Sequence, residues 1–166
     1  MNPASTHGNI LKYTNRTVSD DTLETLLKAA MAAHSADDER PWHFIVIKGQ
    51  YIRDQISKIH PFAYMVTHTP ETIIVCGDKA LQKYRGFWIQ DCAAATENIL
   101  IKAKQLKLNS TWLGIYPIEG RVQHFSKLLN TPEHVIPFSL VVLGYPEEYK
   151  EPVDRFDRTR IHHDRW

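Results

Sequence analysis

The chain has 166 residues, 43% hydrophobic and 23% charged, with a formal net charge of +1. That is the make-up of one ordinary folded domain over 1–166, and it leaves no global field to draw the protein onto nucleic acid or an anionic membrane. No apolar run approaches the roughly 20 residues of a membrane helix, and residues 1–9 lack the basic start and apolar core of a signal peptide. Cys76 and Cys92 each sit inside an apolar element and read as free thiols of a reducing compartment, so the cytoplasm is the expected location.

Residues 1–17 are polar and irregular until Ile10, Leu11 and Tyr13. Ser19 is a good helix cap with Asp20 and Asp21 behind it, and Leu23, Leu26, Leu27, Ala30 and Met31 recur at helical spacing. A helix to about Ala33 follows, then a polar loop over 34–41. The spacing predicts a strand over 43–48, a short helix over 51–59, an irregular stretch over 61–70 and a buried strand over 72–76. The longest helix should span 87–106, where Ala93, Ala94, Ala95 and Ala103 allow close approach of another helix or subunit. A helix over 120–129, a loop over 132–137 and a strand over 138–143 complete the pattern, and the last twenty residues are charged and without periodicity. Helices and strands alternate loosely, as in an α/β or α+β layered domain. Neither G-x-G-x-x-G nor G-x-x-x-x-G-K occurs, so nothing supports a dinucleotide or P-loop site.

One stretch organises the rest. Thr111 to Gly120, Thr-Trp-Leu-Gly-Ile-Tyr-Pro-Ile-Glu-Gly, reads as a short buried strand over 111–115, broken at Pro117, running into a helix that starts near Glu119. Proline has no amide hydrogen and ends a ladder. The first helical turn beyond it has unpaired amides and a partial positive charge. An ordinary strand-to-helix corner has the same outline; a site for a flat ring with acceptor atoms on its edge is the alternative.

Five stretches, in order, resemble the nitroreductase family of flavin enzymes: Val18-Ser-Asp-Asp-Thr-Leu with Leu26-Leu-Lys-Ala-Ala-Met-Ala-Ala; Ser35-Ala with Pro41-Trp-His-Phe-Ile-Val; Gln90-Asp-Cys-Ala-Ala-Ala-Thr-Glu-Asn-Ile-Leu; Trp112-Leu-Gly-Ile-Tyr-Pro-Ile-Glu-Gly; and Val141-Val-Leu-Gly-Tyr-Pro. The ending from Arg155 to Trp166 is similar to the C-termini of short bacterial members. The resemblance implies an α+β three-layer sandwich, with a central mixed but mainly antiparallel sheet flanked by helices and an extended C-terminal tail. It further implies an intertwined homodimer with FMN at two interface sites. In that reading Tyr116, Pro117 and Ile118 border the ring, while the amides of Glu119 and Gly120 face flavin N5 and O4, where donors stabilise the charge of the reduced ring. Arg155 offers a planar guanidinium to the flavin phosphate. His34, Ser35, Ala36 and Asp38 lie along the ring, and Trp42 and Phe44 belong to the core.

The departures matter equally. The family's opening Arg-Arg-Ser-x-Arg falls on His7-Gly8-Asn9-Ile10-Leu11, where no arginine stands, so His7, Gly8, Asn9 and Leu11 become the cofactor-side candidates there. Asn15-Arg16-Thr17 resembles the motif in a second register, too close to the first helix, and His7 or Lys12 are possible partial substitutes. The usual Pro-Ser-Ala-x-Asn loop reads His34-Ser35-Ala36-Asp37-Asp38; an aspartate accepts from a ring NH but cannot donate to a ring carbonyl. Each lost charged hydrogen bond is worth ~1.5 to 3 kcal/mol. The expected function is hydride transfer from NAD(P)H through FMN to an electron-poor acceptor such as a nitroaromatic or quinone. The alternative is a binding or sensing module that holds flavin weakly or takes another ligand. No metal is expected, since His162 and His163 are adjacent and point apart. Cys92 reads as packing rather than a nucleophile, and Asp91 and Glu97 as helix-solvating or neighbour-capping groups.

Overall fold

In the computed structural model, which describes residues 12–148 and 154–166, local signals in the sequence become elements close to the expected places. Ser19 caps helix α1 (Asp20–Met31), its hydroxyl accepting from the Thr22 amide at 3.3 Å. Strand β1 (Trp42–Ile47), helix α2 (Gln50–Ile59) and strand β2 (Glu71–Asp78) follow. The loop over 34–41 contains a 3-10 turn (Ala36–Asp38), and the stretch before β2 contains another (Tyr64–His68). Helix α3 (Trp88–Gln105), strand β3 (Asn109–Gly114), helix α4 (Glu119–Leu129) and strand β4 (Val135–Gly144) complete the layers. Residues 154–166 are exposed and irregular apart from a 3-10 turn at Arg158–Arg160, capped by Asp157.

The strand order is β1-β2-β4-β3, and all three described pairings are antiparallel. A mainly antiparallel sheet was expected; the parallel component of a mixed one is not among the described pairings. The two central strands are covered on both sides, so their apolar runs split by alternation. Ile73, Val75, Val141 and Leu143 face α1 and α3 in one core with Leu26, Ala30, Cys92, Ala95, Ile99 and Ala103. Ile74, Cys76, Leu140 and Val142 face α2 and α4 in the other, with Ile56, Met65, Val66 and Phe125. The result is the three-layer α+β sandwich. The small residues of α3 let α1 come close enough for Asn98 Nδ2 to donate to the Ala29 carbonyl at 3.0 Å.

Two expectations change. Strand β4 starts at Val135 rather than Phe138, and so contains Pro137. A bulge makes that tolerable: Val75 pairs with Ser139 and Cys76 with Pro137, leaving Phe138 as the extra residue. The carbonyl of Phe138 instead accepts both the Ile115 and Tyr116 amides at 3.0 Å. Strand β3 correspondingly runs from Asn109 to Gly114, starting two residues earlier and ending one residue earlier than the expected 111–115. The bulge, together with the turn, sets where the chain leaves the sheet.

Candidate functional site

The corner between β3 and α4 is anchored on its sheet side by Gly114. Its carbonyl accepts from His60 Nε2 and from an Arg121 guanidinium nitrogen, each at 3.0 Å. The other ring nitrogen of His60, Nδ1, accepts from the Phe62 amide at 3.3 Å, so the buried imidazole is held in one neutral tautomer. Burial lowers its pKa first, with the Arg121 charge adding in the same direction and the Gly114 hydrogen bond opposing.

Beyond the corner α4 begins without a side-chain cap. Its N-cap is Ile118 (φ −79°, ψ 102°), whose side chain has no oxygen to accept an amide. The first helical bond is from the Val122 amide to the Ile118 carbonyl at 3.0 Å. The amides of Glu119 and Gly120 meet no acceptor among the described residues, and both residues are exposed. Glu119 lines, and Gly120 adjoins, a cleft of about 310 Å³ whose other lining residues are Lys79, Trp88, Tyr116, Pro117, Val122, Gln123 and Ile136. Its apolar wall is an aromatic group. The Trp88 and Tyr116 rings meet edge-on at 5.0 Å between centroids, Tyr116 stacks on Phe138 at 6.3 Å, and Trp112 packs on Phe138 at 5.9 Å. Trp88 reaches this place because Gly77 lies beneath it: a Cβ there would come within 2.2 Å of the indole.

The loop over 34–41 stands on the other side of the first turn of α3. Asp37, Asp38 and Arg40 all have left-handed backbone (φ 48°, 54° and 43°), a concentration of strain that the surroundings must hold. Asp91, one turn after Trp88, accepts the Ala36 amide at 3.1 Å. Ser35 Oγ accepts the Arg40 amide at 3.0 Å, and the Arg40 guanidinium clasps both oxygens of Asp38 at 2.6 and 2.8 Å. Asp38 is thus already engaged, and His34 is exposed. Asp91 is buried rather than a surface group; it does cap a neighbour, while its solvating role is corrected.

Of the residues singled out in the sequence, Tyr116, Pro117 and Glu119 line the cleft, and Ile118 and Gly120 adjoin them. His34, Ser35, Ala36 and Asp38 lie in the loop that Asp91 of α3 holds through the Ala36 amide, and none of them lines the cleft. Arg155 lies in the exposed segment 154–166, which contributes no cleft residue. His7, Gly8, Asn9 and Leu11 lie outside the described residues. Lys79, Trp88, Val122, Gln123 and Ile136 were not foreseen in the site; a tryptophan opening a long helix was the only local hint. Trp42 is a core residue, as expected. Both cysteines are buried free thiols; burial pushes Cys76 up to about 12 and Cys92 further, so neither is poised as a nucleophile. His162 stacks on Trp166 at 4.5 Å. No helix among the described residues is long and apolar enough to cross a membrane.

No family model matches the chain. Individual proteins do. A Methanothermobacter thermautotrophicus protein, provisionally named NADH dehydrogenase/NAD(P)H nitroreductase, is 47% identical over 161 residues, covering 97% of this chain and 84% of that protein. The crystal structure of a provisionally named NADH oxidase from Clostridium acetobutylicum superposes with a TM-score of 0.95 at 36% identity, covering 99% of both chains. An FMN-dependent nitroreductase from Clostridium difficile has the same fold, with a TM-score of 0.91 at 22% identity over 99% of both chains. By sequence identity across nearly its whole length, this chain belongs to the nitroreductase family of NAD(P)H oxidoreductases.

Proposed function

We propose that the cleft at the start of α4 takes the ring of FMN, and that the protein passes hydride equivalents from NAD(P)H to an electron-poor acceptor, a nitroaromatic or a quinone. The observation that carries this is the uncapped first turn of α4. Glu119 and Gly120 carry backbone donors without acceptors among the described residues, and Glu119 lines a cleft walled by Trp88 and Tyr116. That donor pair fits the polar edge of a flavin, and the aromatic and aliphatic wall fits its face. The names of two relatives point the same way, one speaking of NAD(P)H and the other of FMN.

When bound, FMN would supply the hydride chemistry; the chain supplies position and electrostatics. The Glu119 and Gly120 amides present fixed positive dipoles to the edge where negative charge gathers on reduction. His60 and Arg121 keep the preceding strand end still through the Gly114 carbonyl. Trp88, Tyr116 and Ile136 exclude water from one side. The ring-flanking roles of His34, Ser35, Ala36 and Asp38, and a phosphate role for Arg155, belong to this reading, as do His7, Gly8, Asn9 and Leu11. Large apolar side chains near the cleft, Leu81, Tyr84, Phe87 and Ile118, are 45 to 54% exposed, and a second copy of the chain would cover them. We take the working form to be a cytoplasmic homodimer of one-domain chains.

The test uses the backbone itself. Glu119→Pro deletes one amide, and the extended Ile118 before it already has the conformation a following proline requires. Glu119→Ala keeps the amide and removes only the carboxylate. In an FMN titration, Glu119→Pro should weaken binding about three- to tenfold, the value of one hydrogen bond, and Glu119→Ala by less than twofold. Equal losses in both, or wild-type protein that takes up no flavin and is not reduced anaerobically by NADH or NADPH, would overturn the reading. The second outcome favours a binding module with another ligand.

A further inference from the structure

Two buried carboxyls remain without a role. Glu39 and Asp91 are 7% and 5% exposed, and neither forms an ion pair among the described residues. The nearby cations are otherwise occupied: Lys83 Nζ donates to the Asp37 carbonyl at 2.7 Å and to Asp37 Oδ2 at 3.1 Å, and Arg40 holds Asp38. Each acid uses one oxygen on the backbone of a loop. Glu39 Oε2 accepts the Lys83 and Tyr84 amides at 2.6 and 3.2 Å, and Asp91 Oδ1 accepts the Ala36 amide at 3.1 Å. The second oxygens, Glu39 Oε1 and Asp91 Oδ2, are completely buried and meet no N–H or O–H donor. The two carboxyls lie side by side around Ala36, whose amide donates to Asp91 Oδ1 and whose carbonyl accepts the Glu39 amide at 3.0 Å.

Two carboxylates cannot hydrogen-bond to one another, because each only accepts. Two buried anions side by side, with no cation, would also be among the costliest arrangements a core can hold. One proton between them removes both problems. We infer that Glu39 and Asp91 share a single proton, and that this acid pair is a positioning device tying the loop over 34–38 and the segment over 79–87 to the first turn of α3. The inference rests on the flavin reading only for its consequence, since those are the segments flanking the proposed ring site.

The proton sits with Asp91. Glu39 has two amide donors to stabilise its negative charge, whereas Asp91 has one, so Asp91 Oδ2–H donates to Glu39 Oε1. Burial raises the pKa of Asp91, and the Glu39 carboxylate raises it further against the opposing Ala36 hydrogen bond. The Cys92 thiol on α3, kept neutral by burial, also faces the pair, and beyond it lie the Asp37–Lys83 and Asp38–Arg40 pairs. A group whose folded pKa lies above its unfolded value, here 3.8 for the aspartate, adds stability while protonated. That contribution is present at low pH and is lost as pH rises through the folded value.

Asp91→Asn tests this, because its amide oxygen still accepts from Ala36 while its NH₂ replaces the shared proton with a permanent donor. In the flavin-free protein, infrared spectra should contain the carbonyl stretch of a protonated carboxyl, shifting in D₂O and missing in Asp91→Asn. The fall in melting temperature with rising pH should flatten in the same variant. In the flavin-loaded protein, Asp91→Asn should keep FMN affinity within about twofold, whereas Asp91→Ala should weaken it about tenfold by leaving Glu39 unpaired. A carboxyl band unchanged in Asp91→Asn, or an identical pH dependence of stability in the variant and wild type, would overturn the shared proton. Those two measurements need no flavin, so they decide the pair even if the cleft takes another ligand.

Discussion

At residue scale, the shape of the cleft depends on what is missing from Gly77. A methyl there would overlap the Trp88 indole at 2.2 Å, and the ring can only yield toward the cleft or strain the strand. Gly77→Ala should therefore cost about 1 to 3 kcal/mol in denaturant unfolding, the usual cost of overpacking, and should shift the tryptophan emission. His60 makes a second residue-scale prediction. Its folded pKa is depressed below its ordinary value of 6.5, so the folded state resists the proton that the unfolded chain accepts. The unfolded state then binds more protons below that value, and stability must fall as pH drops through it. A pH series of melting temperatures should show that loss, and His60→Gln should flatten it; an unchanged slope would place the titration elsewhere. Neither position announced itself in the sequence. A glycine ending a strand and a histidine after a short helix look alike in many proteins. Their importance comes from partners 11 and 54 positions away in sequence, Trp88 and Gly114.

At the scale of elements, local chemistry was a good guide wherever the chain decides for itself. Ser19 with two aspartates fixed the start of α1, and Ser19→Ala should lower stability by about 1 kcal/mol in urea titration, as loss of an N-cap does. The alternating faces of β2 and β4 were hidden in the sequence, because strands buried on both sides read as uniform apolar runs. Pro137 hid the first residues of β4 for a plain reason: proline argues against a central strand unless a bulge releases the missing bond. The bend from Thr111 to Gly120 was legible in kind. Its strand end was misplaced because the carbonyl that ends it belongs to Phe138, in another strand. The anchoring of the 34–41 loop by Asp91 and of the Lys83 amide by Glu39 depends on contacts 44 to 55 residues apart that no local pattern encodes.

At the scale of the whole molecule, the exposed residues carry the predictions. Phe156 is 73% exposed and Trp166 fully so, both in the exposed segment 154–166. Together with the apolar side chains around the cleft, they lead us to expect a mass of two chains in light scattering. A single-chain mass across the working concentration range would remove the shared-site reading. Within the same segment, Arg155→Ala should weaken FMN binding more than Arg158→Ala or Arg165→Ala, and equal dissociation constants would refute the phosphate role. The central strands carry one further consequence, for how the chain finds its fold. Since β2 and β4 are apolar on both faces, slipping one past the other by a residue would still bury greasy side chains, and hydrophobicity alone penalises the error weakly. Correct alignment must then be enforced by a few steric keys: the extra residue at Phe138, the bare backbone of Gly77 under Trp88, and that of Gly144, where a Cβ would come within 2.7 Å of Tyr13. Filling either glycine should slow refolding and raise the yield of misaligned, aggregating chains, beyond any loss in final stability.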